Sequence, residues 1–529
     1  MTKEFRVKRI MTDRSRRRQR RVARRLDKFT FPEDLSRPMI RAANIHHEVA
    51  DRDVGTAYGG IGLVHQLTRT LGLAEAIDER LHLFKLHLPY HESDHVLSIA
   101  YNALCDGRCL QDLELRRQDE AYLNLLGAQR IPDPTTAGDF CRRFQPEHLE
   151  ALQKAFDVAR HKVWAAQPAA FFEQAILDAD GTMVETDGEC KQGMDISYKG
   201  QWGYHPLVVT LANSGEVLRI VNRSGNRPSH EGAAARLDES IALCRTAGFQ
   251  KILLRGDTDF SQTRHLDRWH EQGVGFCFGL DVTPLRHMLA DDLPESAWKP
   301  LSRPAKYRVK TKPRKRHTRV KQQVVEARGF KDLRLVDEQV AEMDYRPLAC
   351  RHTYRLVIVR KNLEVSEPRQ QRLFDDYRYF LYLTNDWESS LEAIVFHAND
   401  RCQQENVLAQ LGACRALHAP VDNLVSNNAY MLMASLAWNL KAWLGLLLPG
   451  TGDALPANPK GADPKTVRRR EPKRRLLTME FRTFVNALVR LPAQIVRTGR
   501  RLVVRLLGWN EWQPVLLRLA ARLRRPLRC

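Results

Sequence analysis

Organised cysteine chemistry is the first thing missing. The ten cysteines are scattered along the chain and form no Cys-x-x-Cys pair. Cys105 and Cys109 lie one helical turn apart, with no further His or Cys partner at zinc-finger spacing. This excludes a thiolate metal framework and leaves reduced, buried thiols of a cytoplasmic protein, nucleoid-associated if its partner is chromosomal. Long uninterrupted apolar runs are missing too. The richest, 429–448, contains Asn439 and Lys441, so it reads as a buried core helix and not as a membrane span. The N-terminus is polar and arginine-rich, without the apolar centre of a secretory signal. No glycine-rich strand-to-helix loop is present to cradle a nucleotide. Acid is in short supply. Against 84 Lys and Arg stand 63 Asp and Glu, a net charge of +21, which favours a polyanionic partner.

The excess base is clustered. Residues 1–28 carry 13 basic and 3 acidic side chains, and residues 457–529 carry 19 and 4. A third patch, 303–330, includes Lys306, Arg308, Lys310, Lys312 and the run Arg314, Lys315, Arg316. Each Lys or Arg that neutralises a phosphate releases a counterion, so such patches give salt-sensitive, sequence-tolerant affinity for nucleic acid. A solubilising tail or an anionic membrane surface is the bland alternative. In the C-terminal patch the triplet Arg468, Arg469 and Arg470 is the candidate DNA contact.

At 529 residues the chain is too long for one core. Residues 1–36 lack a clear apolar period and read as a basic flexible arm. From 37 to 170 the pattern is helical: Leu63, Leu67, Leu71, Val96, Ile99 and Leu104 recur at helical spacing. Within it, IPDPTTAGDFCRRF (131–144) predicts a turn at Pro132 to Pro134 and an N-cap at Thr135 or Thr136. Phe140 and Phe144 then share one helix face, with Arg142 and Arg143 beside them as candidate DNA contacts. A helix-turn-helix-like DNA-binding domain fits, as does an ordinary helical bundle with surface arginines. From 171 to 281 strands take over: ILDAD (176–180), YHPLVVTLA (204–212) and EVLRIVNRSG (216–225), then a helix ending at Gly248, then KILLRGD (251–257). Three strands, a helix and a strand begin a ribonuclease H-like fold, whose right-handed crossover sets the fourth strand parallel to the first and beside it. The fold class expected is therefore α/β. A β-rich insertion (282–375) interrupts this core, with strand-like runs at 319–328 and 354–362, and the core resumes over 376–448. There a helix from about 387 to 418, broken near His397, precedes the apolar one. A Pro-, Gly- and Lys-rich linker (449–467) leads to a basic helical C-terminal region (468–529).

Four acids stand out in this frame. On ILDAD, Asp178 and Asp180 share one face because strand side chains alternate, and two acids on a mostly buried strand need a cation or base beside them. Asp257 ends the other strand. If the two strands are neighbours, carboxylates meet at one sheet edge. Oxygen ligands with few His or Cys suit Mg²⁺, with Mn²⁺ as substitute, and two such ions can activate a water or 3′-hydroxyl against a phosphodiester. Taken singly, an Asp at a strand end is more often a turn or cap residue, and Asp-x-Asp also occurs in metal-dependent glycosyltransferases. Glu405 lies on a helix within NDRCQQENVLAQL (399–411), one turn from Arg401. Read plainly, that is an exposed pair worth about 0.3 kcal/mol. Read functionally, Glu405 completes the metal site and Arg401 meets a phosphate.

LDADGT, RGDTDF and DRCQQEN, with GYHPL (203–207), NRSGN (222–226) and PDPTTAGDFCRRF, resemble the DDE transposases of bacterial insertion sequences, above all the thirteen-eighty family. The resemblance runs from about 58 to 525. It implies a ribonuclease H-like catalytic domain with a β-rich insertion before the glutamate. It also implies Asp180, Asp257 and Glu405 as catalytic metal ligands, with Asp178 the fallback for the first. Two Mg²⁺ ions, double-stranded DNA as partner and a homodimer on paired DNA ends follow from the family. Relatives carry Tyr, Arg, Glu and Lys around the last acid. Here Arg401 and Glu405 match, while Ala398 and Gly412 stand at the Tyr and Lys positions and Arg415 is the candidate replacement. A catalytically inactive DNA-binding descendant is the competing reading.

Overall fold

The computed structural model describes residues 13–24, 54–86, 89–303, 332–366, 377–448, 472–499 and 501–525. The N-terminal part is built from α1 (Ile61–Leu71), α2 (Leu73–Asp78), α3 (Glu92–Leu104), α4 (Pro134–Arg142) and α5 (Pro146–Ala165). Leu63, Val64, Leu67 and Leu71 form the buried stripe of α1, the 3.6-residue period at work. The cap of α4 differs from expectation. Asp133, not a threonine, accepts the Thr136 amide, with Pro134 in the first helical turn, where its missing N–H costs nothing.

The centre of the molecule is a nine-stranded mixed sheet. Its strands are β1 (Gln174–Gly181), β2 (Leu207–Leu211), β3 (Glu216–Val221), β4 (Lys251–Gly256), β5 (Gly275–Leu280), β6 (Lys299–Pro300), β7 (Asp332–Tyr345), β8 (Tyr354–Ser366) and β9 (Tyr377–Thr384). The spatial order is β6-β7-β8-β9-β5-β4-β1-β2-β3. β1, β2 and β3 form an antiparallel meander. Helix α6 (Ala233–Ala247) then crosses over, ending at Gly248 with φ of 98°, a left-handed cap that favours glycine. β4 returns parallel to β1 and directly beside it, and β5 is parallel to β4. The strands between 282 and 375 do not form a separate sheet: β7 and β8 pair as a long hairpin, and β8 continues through β9 to β5. The strand-like run at 319–328 and the basic patch from 304 to 330 lie outside the described residues.

After β9 come α7 (Leu391–Asn399), α8 (Cys402–Ala413) and α9 (Leu424–Leu447). The break between the first two falls at Asp400–Arg401 and not at His397. Helix α9 is buried at every position from Ser426 to Leu447 and packs on α3, α5 and β3, which accounts for its apolar sequence. Among the described residues no helix is long and apolar enough to cross a membrane.

Two expectations fail at the chain's basic ends. Residues 13–24, expected to be a flexible arm, are helical. The C-terminal region, expected to be all helical, contains a hairpin of β10 (Ala493–Thr498) and β11 (Arg501–Leu506) before α10 (Gln513–Leu523). β-branched Ile495, Val496, Thr498, Val503 and Val504 favour that hairpin; the arginines among them disguise it. Residues Gly55–Thr56 pair with β10, and the chain passes so closely at Gly60 that a Cβ there would lie 1.7 Å from the Leu488 carbonyl oxygen. The first and last parts of the chain thus share one core with the helices and sheet. Arg468, Arg469 and Arg470 and the linker 449–467 lie outside the described residues.

Candidate active site

The parallel register of β1 and β4 sets Asp178 opposite Arg255. Both residues are followed, two positions on, by an acid: Asp180 and Asp257. The two carboxylates therefore leave adjacent strand ends side by side, at the C-terminal edge where open α/β sheets place their ligands.

The two acids of ILDAD part company here. Asp178 is 1% exposed, and Arg255 clamps it with two hydrogen bonds, Nε to Oδ1 and Nη2 to Oδ2, each 2.7 Å. Arg255 also donates to the His397 carbonyl at 2.9 Å. The fork geometry is the strong form of a charge-assisted bond, and it engages both Asp178 oxygens in the interior. Asp180 is the available acid. Its Oδ1 accepts the Gly181 amide at 2.8 Å, and its carboxyl is pushed up to about 7, first by burial and then by the negative charge of Asp257, with Arg401 opposing and Glu405 adding. Asp257 caps the short turn Thr258–Phe260 through the Asp259 amide, 3.1 Å away. Burial raises it as well; Arg401 opposes, and Asp259 and Asp281 reinforce.

Glu405 stands in the first turn of α8 and is well exposed. Arg401, at the break between α7 and α8, lies between the acids: Nη1 is 3.4 Å from Asp180 Oδ2 and Nη2 is 3.9 Å from Glu405 Oε1. Among the described residues no group of three or more His, Cys, Asp or Glu side chains is gathered closely enough to hold a metal ion. The trio shares an electrostatic field, with a guanidinium between two of its members.

Three neighbours escaped the sequence reading. Arg255 sat in the quoted RGDTDF motif, and the rule that paired acids need a base could have singled it out. His205 and Arg223, in GYHPL and NRSGN, crowd Gly181: a Cβ there would meet His205 Nε2 at 3.0 Å and Arg223 Nη2 at 3.2 Å. Arg223 donates to the Pro228, Ser229 and Glu231 carbonyls, and burial lowers it to about 10. Two of the other expected DNA contacts, Arg142 and Arg143, are engaged within the chain. Arg142 pairs with Asp139 at 2.8 Å and Asp422 at 3.0 Å, and Arg143 lies 5.3 Å over the Phe84 ring.

The mixed sheet thus brings two acids to neighbouring strand ends, with a third on the helix beyond them. Residues 43–458 match the family model described as "Transposase DDE domain group 1", and the chain belongs to that family. A solved structure it is similar to is the cryo-EM structure of a piggyBac transposase synaptic complex with hairpin DNA, 10% identical, covering 82% of this chain and 81% of that chain with a TM-score of 0.34. No curated protein matches.

Proposed function

We propose that this protein is the transposase of a bacterial insertion sequence of the thirteen-eighty kind. It binds terminal inverted repeats, cuts at them, and joins the freed 3′-hydroxyl to target DNA. Asp180, Asp257 and Glu405 are its catalytic acids. The observation that carries the reading is the placement of Asp180 and Asp257 at the ends of parallel neighbouring strands, where burial and the charge of Asp257 hold Asp180 far above an ordinary carboxyl. Such a pair favours binding of a cation. The β1–β3 meander, the α6 crossover and parallel β4 and β5 support a ribonuclease H-like core, with β6 to β8 as its insertion.

The donor set fits hard divalent cations, since the three proposed ligands are all carboxylates. Asp180 and Asp257 would hold Mg²⁺ or Mn²⁺, two ions in the full site, with Glu405 drawn in from its exposed position. Bound metal would supply charge stabilisation at the scissile phosphate and a more acidic nucleophile. The Asp178–Arg255 clamp keeps β1 and β4 in register, so that the two aspartates stay adjacent. Arg401, set between Asp180 and Glu405, offsets part of the acids' charge and would be placed to meet a phosphate. The absent Lys at Gly412 is not a matter of space, since a side chain there would meet nothing within 4 Å. Exposed Arg415 on the following turn is the replacement contact. A homodimer bridging two DNA ends is the working unit by analogy with the family.

Asp257→Asn is expected to abolish cleavage of element ends in Mg²⁺ while binding those ends within about twofold of the parent, because the change removes a charge and little volume. Cleavage retained by that variant would overturn the assignment. The inactive-descendant reading is favoured by Ala398 and Gly412. It predicts end binding without strand cleavage by the unaltered protein in either Mg²⁺ or Mn²⁺.

A further inference from the structure

The helix at 13–24 is unlike the others. Seven of its side chains are arginines: Arg14, Arg16, Arg17, Arg18, Arg20, Arg21 and Arg24, and only Ser15 and Arg18 are even partly covered. At 100° per residue the arginines sweep an arc of roughly 200°, and Ser15, Gln19, Val22 and Ala23 fill the remainder. The helix meets the body through Ser15 and through Arg18 at the edge of the arc, while Gln19, Val22 and Ala23 are exposed. Ser15 Oγ donates to Gln513 Oε1 at 2.6 Å, and Arg18 Nη1, at the edge of the arc, donates to the Leu506 carbonyl at 2.5 Å. The helix therefore docks where β11 leads into α10, nearly 500 residues away in sequence. Arg497, Arg501 and Arg505 on the neighbouring hairpin are exposed too.

This helix has little internal support. Arg14–Arg18, Arg16–Arg20, Arg17–Arg21 and Arg20–Arg24 are like-charge pairs at i,i+4, each unfavourable by about 0.2–0.5 kcal/mol. Among the described residues no carboxylate pairs with these arginines. An array of this kind is stabilised by a polyanion that surrounds it. Resting on the transposase reading for the identity of that polyanion, we propose that helix 13–24 and the β10–β11 hairpin form one composite surface that grips double-stranded DNA, with the helix in the major groove. A major groove admits an α-helix and flanks it with two phosphate rows, which suits an arginine arc wider than one side. Single strands present one phosphate row and are held by stacking on aromatic rings. Neither residues 13–24 nor residues 493–506 contain an aromatic residue.

The test uses the full-length protein and a fluorescein-labelled duplex in a salt titration followed by anisotropy. Each lost phosphate contact lowers the slope of log K against log salt by about 0.9. Arg16→Gln with Arg20→Gln and Arg24→Gln is expected to lower it by about 2–3. Arg501→Gln with Arg505→Gln is expected to lower it by about 2, and the five changes together by the sum. Circular dichroism and melting should match the parent, since all five side chains are exposed; removal of residues 1–24 serves if the helix set misfolds. An unchanged slope for either set overturns the composite surface, and so does a single strand of the same length binding as tightly as the duplex. Reduced slopes in a protein that never cleaves would sink the transposase reading and leave this surface standing. Cleavage lost only in Asp257→Asn with unchanged slopes would do the reverse.

Discussion

Asp180 carries a pH signature that tests its place in the site. Its folded carboxyl titrates near 7, well above an unfolded Asp near 3.9. Between those values the folded state holds the extra proton, so its contribution to stability is present at acid pH and lost as pH rises through that window. Metal-free protein should melt at a lower temperature at pH 7.5 than at pH 5, and Mg²⁺ should restore most of the loss at the higher pH. Asp180→Asn should remove the metal-dependent recovery; a variant that recovers like the parent would contradict the assignment. Asp178 plays the opposite part. Arg255→Leu strands a carboxylate that is 1% exposed, at an expected cost of about 3–5 kcal/mol, and adding Asp178→Asn should return much of it. Urea midpoints of the three variants decide. The sequence left these two aspartates as alternatives, because alternation puts both on one face and says nothing of which partner reaches them. What separates them in the fold is Arg255, a residue 77 positions away in the chain, which engages Asp178 and not Asp180.

Elements whose own residues dictate them were legible, and elements that depend on distant partners were not. β1 and β4 are short, branched and apolar, and α9 is apolar over 24 residues; burial explains each. The basic hairpin escaped because arginines interrupt its period, and the helix at 13–24 because nothing apolar marks one. The way β7 and β8 extend the core sheet depends on β9 bridging to β5, which local pattern does not encode. Convergence of Asp180 and Asp257 followed from crossover handedness, whereas the guanidinium between Asp180 and Glu405 required the actual break at Asp400–Arg401. One element also controls the site from behind. A Cβ at Gly279 of β5 would lie 3.0 Å from the Thr258 amide nitrogen and 3.2 Å from the Asp257 carbonyl carbon. Gly279→Val is therefore expected to push the Asp257 turn outward. A shift of that kind can cost roughly 100-fold in rate, with duplex binding little changed; cleavage at the parental rate would show the turn to be tolerant.

Across the whole molecule, a buried ionic hub ties the helical part to the sheet. Glu216 on β3 is fully buried and accepts hydrogen bonds from Arg160 and Trp164 of α5, Trp443 of α9 and Ser214. Asp157 of α5 pairs with Arg160 and also with Arg219 of β3. Glu216→Leu takes the shared acceptor from Trp164, Trp443, Ser214 and Arg160 Nε, and is expected to cost about 3–5 kcal/mol. The loss should be read as a lowered denaturation midpoint, with hydrogen exchange rising first along α5 and α9. Exchange confined to β3 would show that the hub does not couple the layers.

The pairing of Gly55–Thr56 with Gln494 and Ala493 bears on how the protein is made. A ribosome delivers those partners more than 430 residues apart, so the first helices emerge long before the strand that closes their edge. Until β10 arrives, that edge and the apolar floor under Gly59–Gly60 stay open to chaperones and proteases. A chain cut short before Ala493 is therefore expected to turn over faster than the full-length protein, which a pulse-chase of the truncated chain checks.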